Sequence, residues 1–202
     1  MVEASKEMQK YFEELDNACL REMKIANAAR LKGYDYTEKS EIVLTKNMAE
    51  RVIGIIAVVA PQIQNTGAVA RIIELEKQYG ILDWRVAFRI AEDVAREKFC
   101  QFKDQKEAME IGIKTGFAYV TNGVVSSPLE GFTTIDIVDR MDGQGKYFCM
   151  NFSGPIRNAG GTAAAVSVLI ADYVRMKFGY AKYDATELET KRTYTEIEDY
   201  HT

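Results

Sequence analysis

The chain has 202 residues, of which 47% are hydrophobic and 28% charged, and its net charge is −4. This composition predicts a soluble globular protein with one ordinary core or two small ones, and the net charge argues against a non-specific nucleic-acid-binding protein. No stretch resembles a signal peptide or reaches the roughly 20 apolar residues of a membrane span, so we expect a cytoplasmic protein without a membrane segment.

The negative charge is unevenly distributed along the chain. Residues 1–139 and 183–202 each carry a net charge of −4. Residues 140–182 hold six basic and two acidic side chains, a net charge of +4. This basic segment is therefore the one region whose charge favours an anionic partner.

Region 1–33 is predicted to be one long amphipathic helix. Between residues 5 and 31 apolar residues recur every three or four positions, and Gly33 provides a stop signal. The apolar residues are Met8, Tyr11, Phe12, Leu15, Ala18, Cys19, Met23, Ala26 and Ala29. Such a helix packs either on its own domain or on a partner, including a second copy of the chain.

Region 34–122 is predicted to be helical after a linker that holds at most one extended segment. We predict helices at 48–60, from 66 or 67 to 79, at 84–102 and from 105 to about 119. Asn47, Asp83 and Asp104 are the expected N-terminal caps of three of these helices. An Asn-Gly pair at 122–123 ends the helical region.

Region 123–202 is predicted to be a small α+β region. Residues 131–140 and 146–152 alternate in polarity on either side of turn residues, which predicts an antiparallel hairpin. Residues 162–178 are apolar nearly all round, so we expect a helix that is covered on most sides. A polar helix is predicted at 187–200, and we expect the end of the chain just after it to be an artificial cut.

The predicted fold class is therefore α+β. It is mostly helical, with a small antiparallel hairpin, a glycine loop and a buried helix. The glycine loop comprises residues 154–162, with the sequence GPIRNAGGT, and it directly precedes the apolar helix.

The glycine loop has two possible roles. Helix N-termini carry unpaired N–H groups that bind phosphate oxygens, but the spacing here fits neither a Walker A loop nor a Rossmann fingerprint. Gly160 and Gly161 would let the backbone approach a neighbour closely, and Thr162 could cap the helix. Arg157 could clamp a phosphate with two hydrogen bonds. These residues leave a purely structural turn and an anion contact both open.

The sequence offers no complete set of catalytic or metal-binding groups. Asp136, Asp139 and Asp142 are predicted to lie along a solvated hairpin edge, because strand residues alternate between faces. His201 is the only histidine, and the three cysteines are far apart. We predict no catalytic residue, metal site or cofactor in this chain. A stand-alone enzyme that binds a phosphorylated ligand at the loop is the alternative.

Three segments of the sequence together form a pattern that is typical of one protein family. They are Pro-Leu-Glu-Gly at 128–131, the run GPIRNAGGTA at 154–163 with Asp-Tyr-Val-Arg at 172–175, and the acidic run ending in Asp-Tyr-His at 199–201. Together they resemble the N-terminal region of the large subunit of archaeal family D DNA polymerase. The opening helix is also similar to the start of that family, so the resemblance covers essentially the whole chain.

The resemblance implies a non-catalytic fragment of a template-directed DNA polymerase, whose Mg²⁺-binding aspartates lie further along the large subunit. The implied partners are a separate small subunit with proofreading 3′–5′ exonuclease activity, the rest of the large subunit, and primer–template DNA. A KH-like module in the C-terminal half is compatible with the hairpin and loop. The residues expected to contact a nucleic acid or anion are Arg157, Asn158, Gly160, Gly161, Thr162, Arg175 and Lys177.

Overall fold

Backbone contacts divide the chain into two compact units, Met1–Lys46 and Asn47–Thr202. The computed structural model describes residues 5–34, 44–123 and 127–199. Most of the predicted linker therefore lies outside the described residues.

The first unit contains helix α1, Lys6–Leu31, as the apolar spacing predicted. Ser5 caps its N-terminus, because the Ser5 hydroxyl oxygen accepts a hydrogen bond of 3.2 Å from the Met8 N–H. Beyond the C-terminus, Gly33 has a left-handed φ of +76°, which ends the helix.

The second unit begins with four helices, α2 (Met48–Ile56), α3 (Ala68–Tyr79), α4 (Trp84–Ala95) and α5 (Gln105–Val120). The predicted caps are confirmed, since side-chain oxygens of Asn47, Asp83 and Asp104 accept hydrogen bonds from first-turn N–H groups. Consecutive helices pack against each other, and α2 also packs against α5.

Two of these helices end earlier than predicted. α2 ends at Ile56 instead of residue 60, because the chain leaves the helical conformation before Pro61. α4 ends at Ala95 instead of residue 102, since Glu97 has a left-handed φ of +56°. The apolar spacing in the sequence continues past Ala95 because Phe99 and Phe102 still pack against the core after the helix has ended.

α4 and α5 pack against each other through small residues. A Cβ placed at Gly116 of α5 would lie 2.7 Å from the carbonyl oxygen of Ala87 and 3.1 Å from the Cβ of Ala91, both in α4. The two backbones are therefore as close as side chains of this size permit.

The predicted hairpin consists of strands β1 (Phe132–Asp139) and β2 (Lys146–Phe152), which pair antiparallel. Phe132 and Ile135 are fully buried against the helices, and the register is irregular between Phe132 and Thr134. The α+β prediction is confirmed: across the described ranges the fold is mostly helical, with one two-stranded sheet.

Helix α6, Gly160–Lys177, packs on α4 and α5 along one face. That face buries Val166, Ile170 and Val174. The opposite side exposes Val168, Leu169 and Met176, at 48%, 52% and 56%. The predicted buried helix is thus buried on one side, and residues 5–34, 44–123 and 127–199 do not provide the expected cover on most sides.

The last helix, α7, spans Glu187–Asp199 as predicted. Its N-terminus is a capping box, in which the Thr186 hydroxyl accepts from the Glu189 N–H and the Glu189 carboxylate accepts from the Thr186 N–H.

One hydrophobic core contains residues of all five helices from α2 through α6 and of the hairpin. Both sides of the predicted boundary at residue 122 contribute to that core. The division of the chain at that boundary and the KH-like module stay predictions.

Candidate functional site around the glycine loop

The glycine loop folds as a 3₁₀ helix, Gly154–Ala159, that continues directly into α6. Pro155 lies in the first turn, where its missing N–H costs no hydrogen bond. Gly160 joins the two helices with a left-handed φ of +82°, and its N–H donates to the Arg157 carbonyl. Gly160 is therefore required for its backbone conformation.

Two expectations about the glycine loop are wrong in detail. A Cβ at Gly160 or Gly161 would have no atom of a neighbouring segment within 4 Å, so these glycines mark open space and not a close approach. Thr162 is the third residue of α6 and is exposed, so it lies inside the helix instead of capping it.

The close approach occurs at Gly131, which ends a π-helical turn, Ser127–Gly131. A Cβ at Gly131 would lie 2.9 Å from the backbone nitrogen of Ile156 in the glycine loop. The Ser153 N–H donates to the Gly131 carbonyl at 2.9 Å, and the Ser153 hydroxyl donates to the Glu130 carbonyl. The Ser127–Gly131 turn is therefore the immediate support of the glycine loop.

Lys114 of α5 is buried directly behind this turn and is only 6% exposed. Its ammonium donates to the carbonyl oxygens of Pro128 at 3.2 Å and Leu129 at 3.4 Å, and to that of Phe132. Burial lowers the pKa of Lys114 to about 8, although the nearby Glu110 carboxylate opposes the shift. Lys114 was not among the site residues predicted from the sequence. The one signal in the sequence that could have indicated it is a lysine among apolar neighbours on a core-facing helix.

Glu110, one turn before Lys114, fixes the start of the hairpin. Its carboxylate accepts the Ile135 N–H at 2.9 Å and also the Thr134 hydroxyl. Lys106, a further turn back, contacts Asp136 at 3.4 Å. On one face of α5, at spacings of four, Lys106 and Glu110 therefore contact β1, and Lys114 holds the Ser127–Gly131 turn.

Arg157 is exposed and forms no ion pair with any residue that the structure describes. It lies three residues before the exposed backbone of Gly160, Gly161 and Thr162. The side chain of Asn158 lies outside the described residues. An exposed guanidinium beside a helix N-terminus can hold a phosphate oxygen chemically.

Arg175 and Lys177 lie at the other end of α6, roughly 22 and 26 Å from Gly160 at 1.5 Å per residue. Arg175 is buried, and its guanidinium donates to Asp172 at 2.7 Å and to the Tyr180 carbonyl. Lys177 lies 3.9 Å from Glu92 and over the Tyr173 ring. The fold therefore does not bring these two basic residues to the glycine loop.

The hairpin carboxylates pair with separate groups. Asp136 accepts from Asn151 at 2.8 Å, Asp139 lies 3.5 Å from Lys146, and Asp142 pairs with Arg140. In the part of the chain that the structure describes, no group of three or more His, Cys, Asp or Glu residues could hold a metal ion.

The family model described as DNA polymerase II large subunit DP2, N-terminal, matches residues 10–202. The chain belongs to the archaeal family D DNA polymerase large subunits, as their N-terminal region. The glycine loop, the Ser127–Gly131 turn and Lys114 are thus features of a polymerase large subunit's N-terminal region.

Relatives match over nearly the whole chain. The DNA polymerase II large subunit of Nanoarchaeum equitans is 42% identical over 98% of this chain and 15% of that protein. The corresponding subunit of Methanothermobacter thermautotrophicus is 40% identical over 96% and 17%. That of Methanosarcina barkeri is 38% identical over 96% and 16%. The chain thus spans about a sixth of the length of these relatives.

A membrane anchor was not expected for this chain. Among the helices of the described residues, none combines the length and the apolar character needed to cross a bilayer.

Proposed function

We propose that this chain is a non-catalytic, accessory part of a template-directed DNA polymerase, and that its glycine loop contacts the phosphates of primer–template DNA. Family membership supports the polymerase assignment. The observation that carries the DNA contact is the exposed Arg157 beside the open backbone at Gly160–Thr162.

The chemistry of the loop suits a phosphate backbone better than a base. A guanidinium and N–H groups at a helix N-terminus donate hydrogen bonds to anionic oxygens but carry no base-specific pattern. The segment 140–182 has a net charge of +4, which favours the same partner. Binding at this site should therefore depend on salt and not on sequence.

We infer that polymerisation itself takes place outside this chain. On this proposal the Mg²⁺-binding aspartates lie further along the large subunit and the 3′–5′ exonuclease belongs to a separate small subunit. This chain would then contribute to the assembly of the heterodimer. The exposed apolar side of α6, with Val168 and Leu169, supports a role in packing against another part of that assembly.

A second function, docking through α1, is favoured by a separate observation. None of the 26 residues of α1 is buried, and Tyr11, Phe12 and Leu20 are each about half exposed, at 53%, 47% and 55%. Light scattering of the chain with and without residues 5–31 tests this function. A fall from dimer to monomer mass on removal supports self-association, and a monomer in both cases rejects it.

The DNA contact is tested by fluorescence anisotropy with labelled primer–template DNA. We expect Arg157→Ala to weaken binding on every DNA sequence and to lower the slope of log K against log salt by about one. Arg192→Ala, at an exposed arginine of the acidic α7, is the matched control and should leave the slope unchanged.

Two outcomes contradict this proposal. One is binding by the parent chain that does not change with salt, and the other is an Arg157→Ala chain with the parent's affinity. Thermal stabilisation of the chain by a nucleotide, without DNA binding, would instead favour the stand-alone phosphate-binding enzyme.

A further inference from the structure

The ammonium group of Lys114 donates all its hydrogen bonds to backbone carbonyls. Its three acceptors belong to Pro128, Leu129 and Phe132, and the Phe132 ring centroid lies 4.8 Å from the ammonium nitrogen. Three acceptors match the three N–H donors of an ammonium group. A charge in this position is tolerated because every donor is satisfied.

The acceptors lie within and just after the Ser127–Gly131 turn, where carbonyls at the end of a helical turn lack partners in the turn itself. Glu110, the acidic residue nearest in α5, uses its carboxylate on Ile135 and Thr134 of β1. Lys114 therefore acts on the turn through its carbonyls and not through a salt bridge.

The turn transmits this constraint to the glycine loop by direct backbone contact. Gly131 lies against Ile156, where an added Cβ would be 2.9 Å from the Ile156 nitrogen and 3.0 Å from its Cα. The hydrogen bonds from Ser153 to Gly131 and Glu130 close the same junction. A continuous series of contacts thus runs from the Lys114 ammonium to the segment that carries Arg157.

We propose that Lys114 is the positioning residue of the glycine loop: its buried ammonium gathers the carbonyls of the Ser127–Gly131 turn, and the turn holds Gly154–Ala159 in place. The positioning stands on these contacts alone. Its consequence for DNA rests on the proposed function of the loop. Without Lys114, the turn loses the donor that binds its carbonyls and the loop loses the support of the turn, while α3 and α4 keep their own packing.

Amide hydrogen exchange tests the positioning role. Lys114→Met keeps the length and packing of the side chain but removes all donors. We expect exchange at least about tenfold faster at residues 128–132 and 154–161, with unchanged exchange in α4. Lys106→Met is the matched control, because Lys106 lies two turns earlier on the same face and is 41% exposed. It should leave both segments unchanged.

Two exchange results overturn the proposal. One is parent-like exchange at residues 154–161 in Lys114→Met, and the other is an equal rise in exchange throughout the chain, which would make Lys114 a general stability residue.

Gly131→Ala disrupts the contact between the turn and Ile156 of the glycine loop, and it covers the case in which Lys114→Met does not fold. It should accelerate exchange at 154–161 and leave 128–130 protected, and unchanged exchange at 154–161 also overturns the proposal.

DNA binding separates this proposal from the function of the loop. If Lys114 positions a DNA-contacting loop, Lys114→Met should lose affinity in the same direction as Arg157→Ala. If the parent chain binds no DNA but exchange changes as expected, the proposed function fails and the positioning role stands. If the parent binds DNA and exchange does not change, the positioning role fails alone.

Discussion

Gly112 of α5 faces the carbonyl oxygen of Ala91 in α4 so closely that a Cβ at position 112 would lie 2.5 Å from that oxygen. The neighbour is backbone and not the end of a flexible side chain, so it cannot move aside without moving α4. The contact fixes the distance between the two helices that form the centre of the core.

Gly112→Ala should therefore destabilise the chain by about 3 kcal/mol, in spite of the better helix propensity of alanine. Gly54→Ala in α2 is the matched control, since a Cβ there meets no atom within 4 Å. That variant should be more stable than the parent by roughly 0.5–1 kcal/mol. Urea unfolding of both variants measures the difference, and equal stabilities would show that α4 and α5 can separate at little cost.

Neutralising Asp93 of α4 should be the most costly charged-to-neutral substitution among the ion pairs of α3 and α4. Asp93 is 4% exposed and holds Arg71 at 2.7 Å and Lys98 at 2.6 Å. Asp93→Asn removes the carboxylate partner of Lys98 and leaves Arg71 with the exposed Glu74, so we expect a loss of about 2 kcal/mol in the free energy of unfolding.

Glu74→Gln is the control for Asp93→Asn, because Glu74 also pairs with Arg71 but has a side chain that is 68% exposed. Its effect should stay below about 0.5 kcal/mol, as is usual for surface pairs. Denaturant midpoints at neutral pH compare the two variants. A Glu74→Gln effect as large as that of Asp93→Asn would contradict the assignment of the buried carboxylate as the main partner of Arg71.

Lys114 should make the stability of the chain depend on pH in the alkaline range. Its pKa falls from the ordinary 10.5 to about 8 on folding, because burial disfavours the charged form. Between these values the unfolded chain binds more protons than the folded chain, so this group's contribution rises with pH. This contribution to the free energy of unfolding is absent below about pH 8 and complete above about pH 10.5. Its full size is roughly 3 kcal/mol, because one pH unit between the two pKa values corresponds to about 1.36 kcal/mol.

The measurement is the difference in free energy of unfolding between the parent and Lys114→Met, followed from pH 7.5 to 10.5. Other titrating groups are common to both chains and cancel. The parent should gain on the variant as the pH rises, whereas the same difference for Lys106→Met should stay flat. A flat difference for Lys114→Met would mean that its ammonium keeps an ordinary pKa in the fold.

Local signals in the sequence predicted much of the fold. The Asx caps at Asn47, Asp83 and Asp104 start their helices as expected, because capping depends on residues within one turn. The hairpin was predicted from its period of two for the same reason. The end of α4 was missed because Phe99 and Phe102 continue the apolar pattern by packing after the helix has ended.

The support of the glycine loop could not be predicted in this way. Lys114 bonds to carbonyls 14 to 18 residues later in the chain, and backbone acceptors leave no trace in side-chain patterns. A close approach was expected at Gly160 and Gly161 because glycine has no Cβ, yet the close approach in this region occurs at Gly131. Which glycine meets a neighbouring backbone depends on tertiary packing and not on its immediate sequence.

Arg175 should prove to be a structural residue of the C-terminal end of α6. Its side chain is 11% exposed and ties Asp172 to the Tyr180 carbonyl, which closes the turn after the helix. Arg175→Gln should therefore lower the free energy of unfolding by about 2 kcal/mol. Lys177→Gln, at a side chain that is 38% exposed, should cost less than about 0.5 kcal/mol.

The same two variants decide whether either residue contacts DNA. Because the Arg175 guanidinium is buried and bonded to Asp172 and Tyr180, it should release no counterion when DNA binds, so Arg175→Gln should leave the salt slope of binding unchanged at a temperature where it is folded. Arg157→Ala, measured beside it, should lower that slope by about one. A fall of the same size in Arg175→Gln would contradict the structural role and would extend the DNA-contacting surface along the whole of α6.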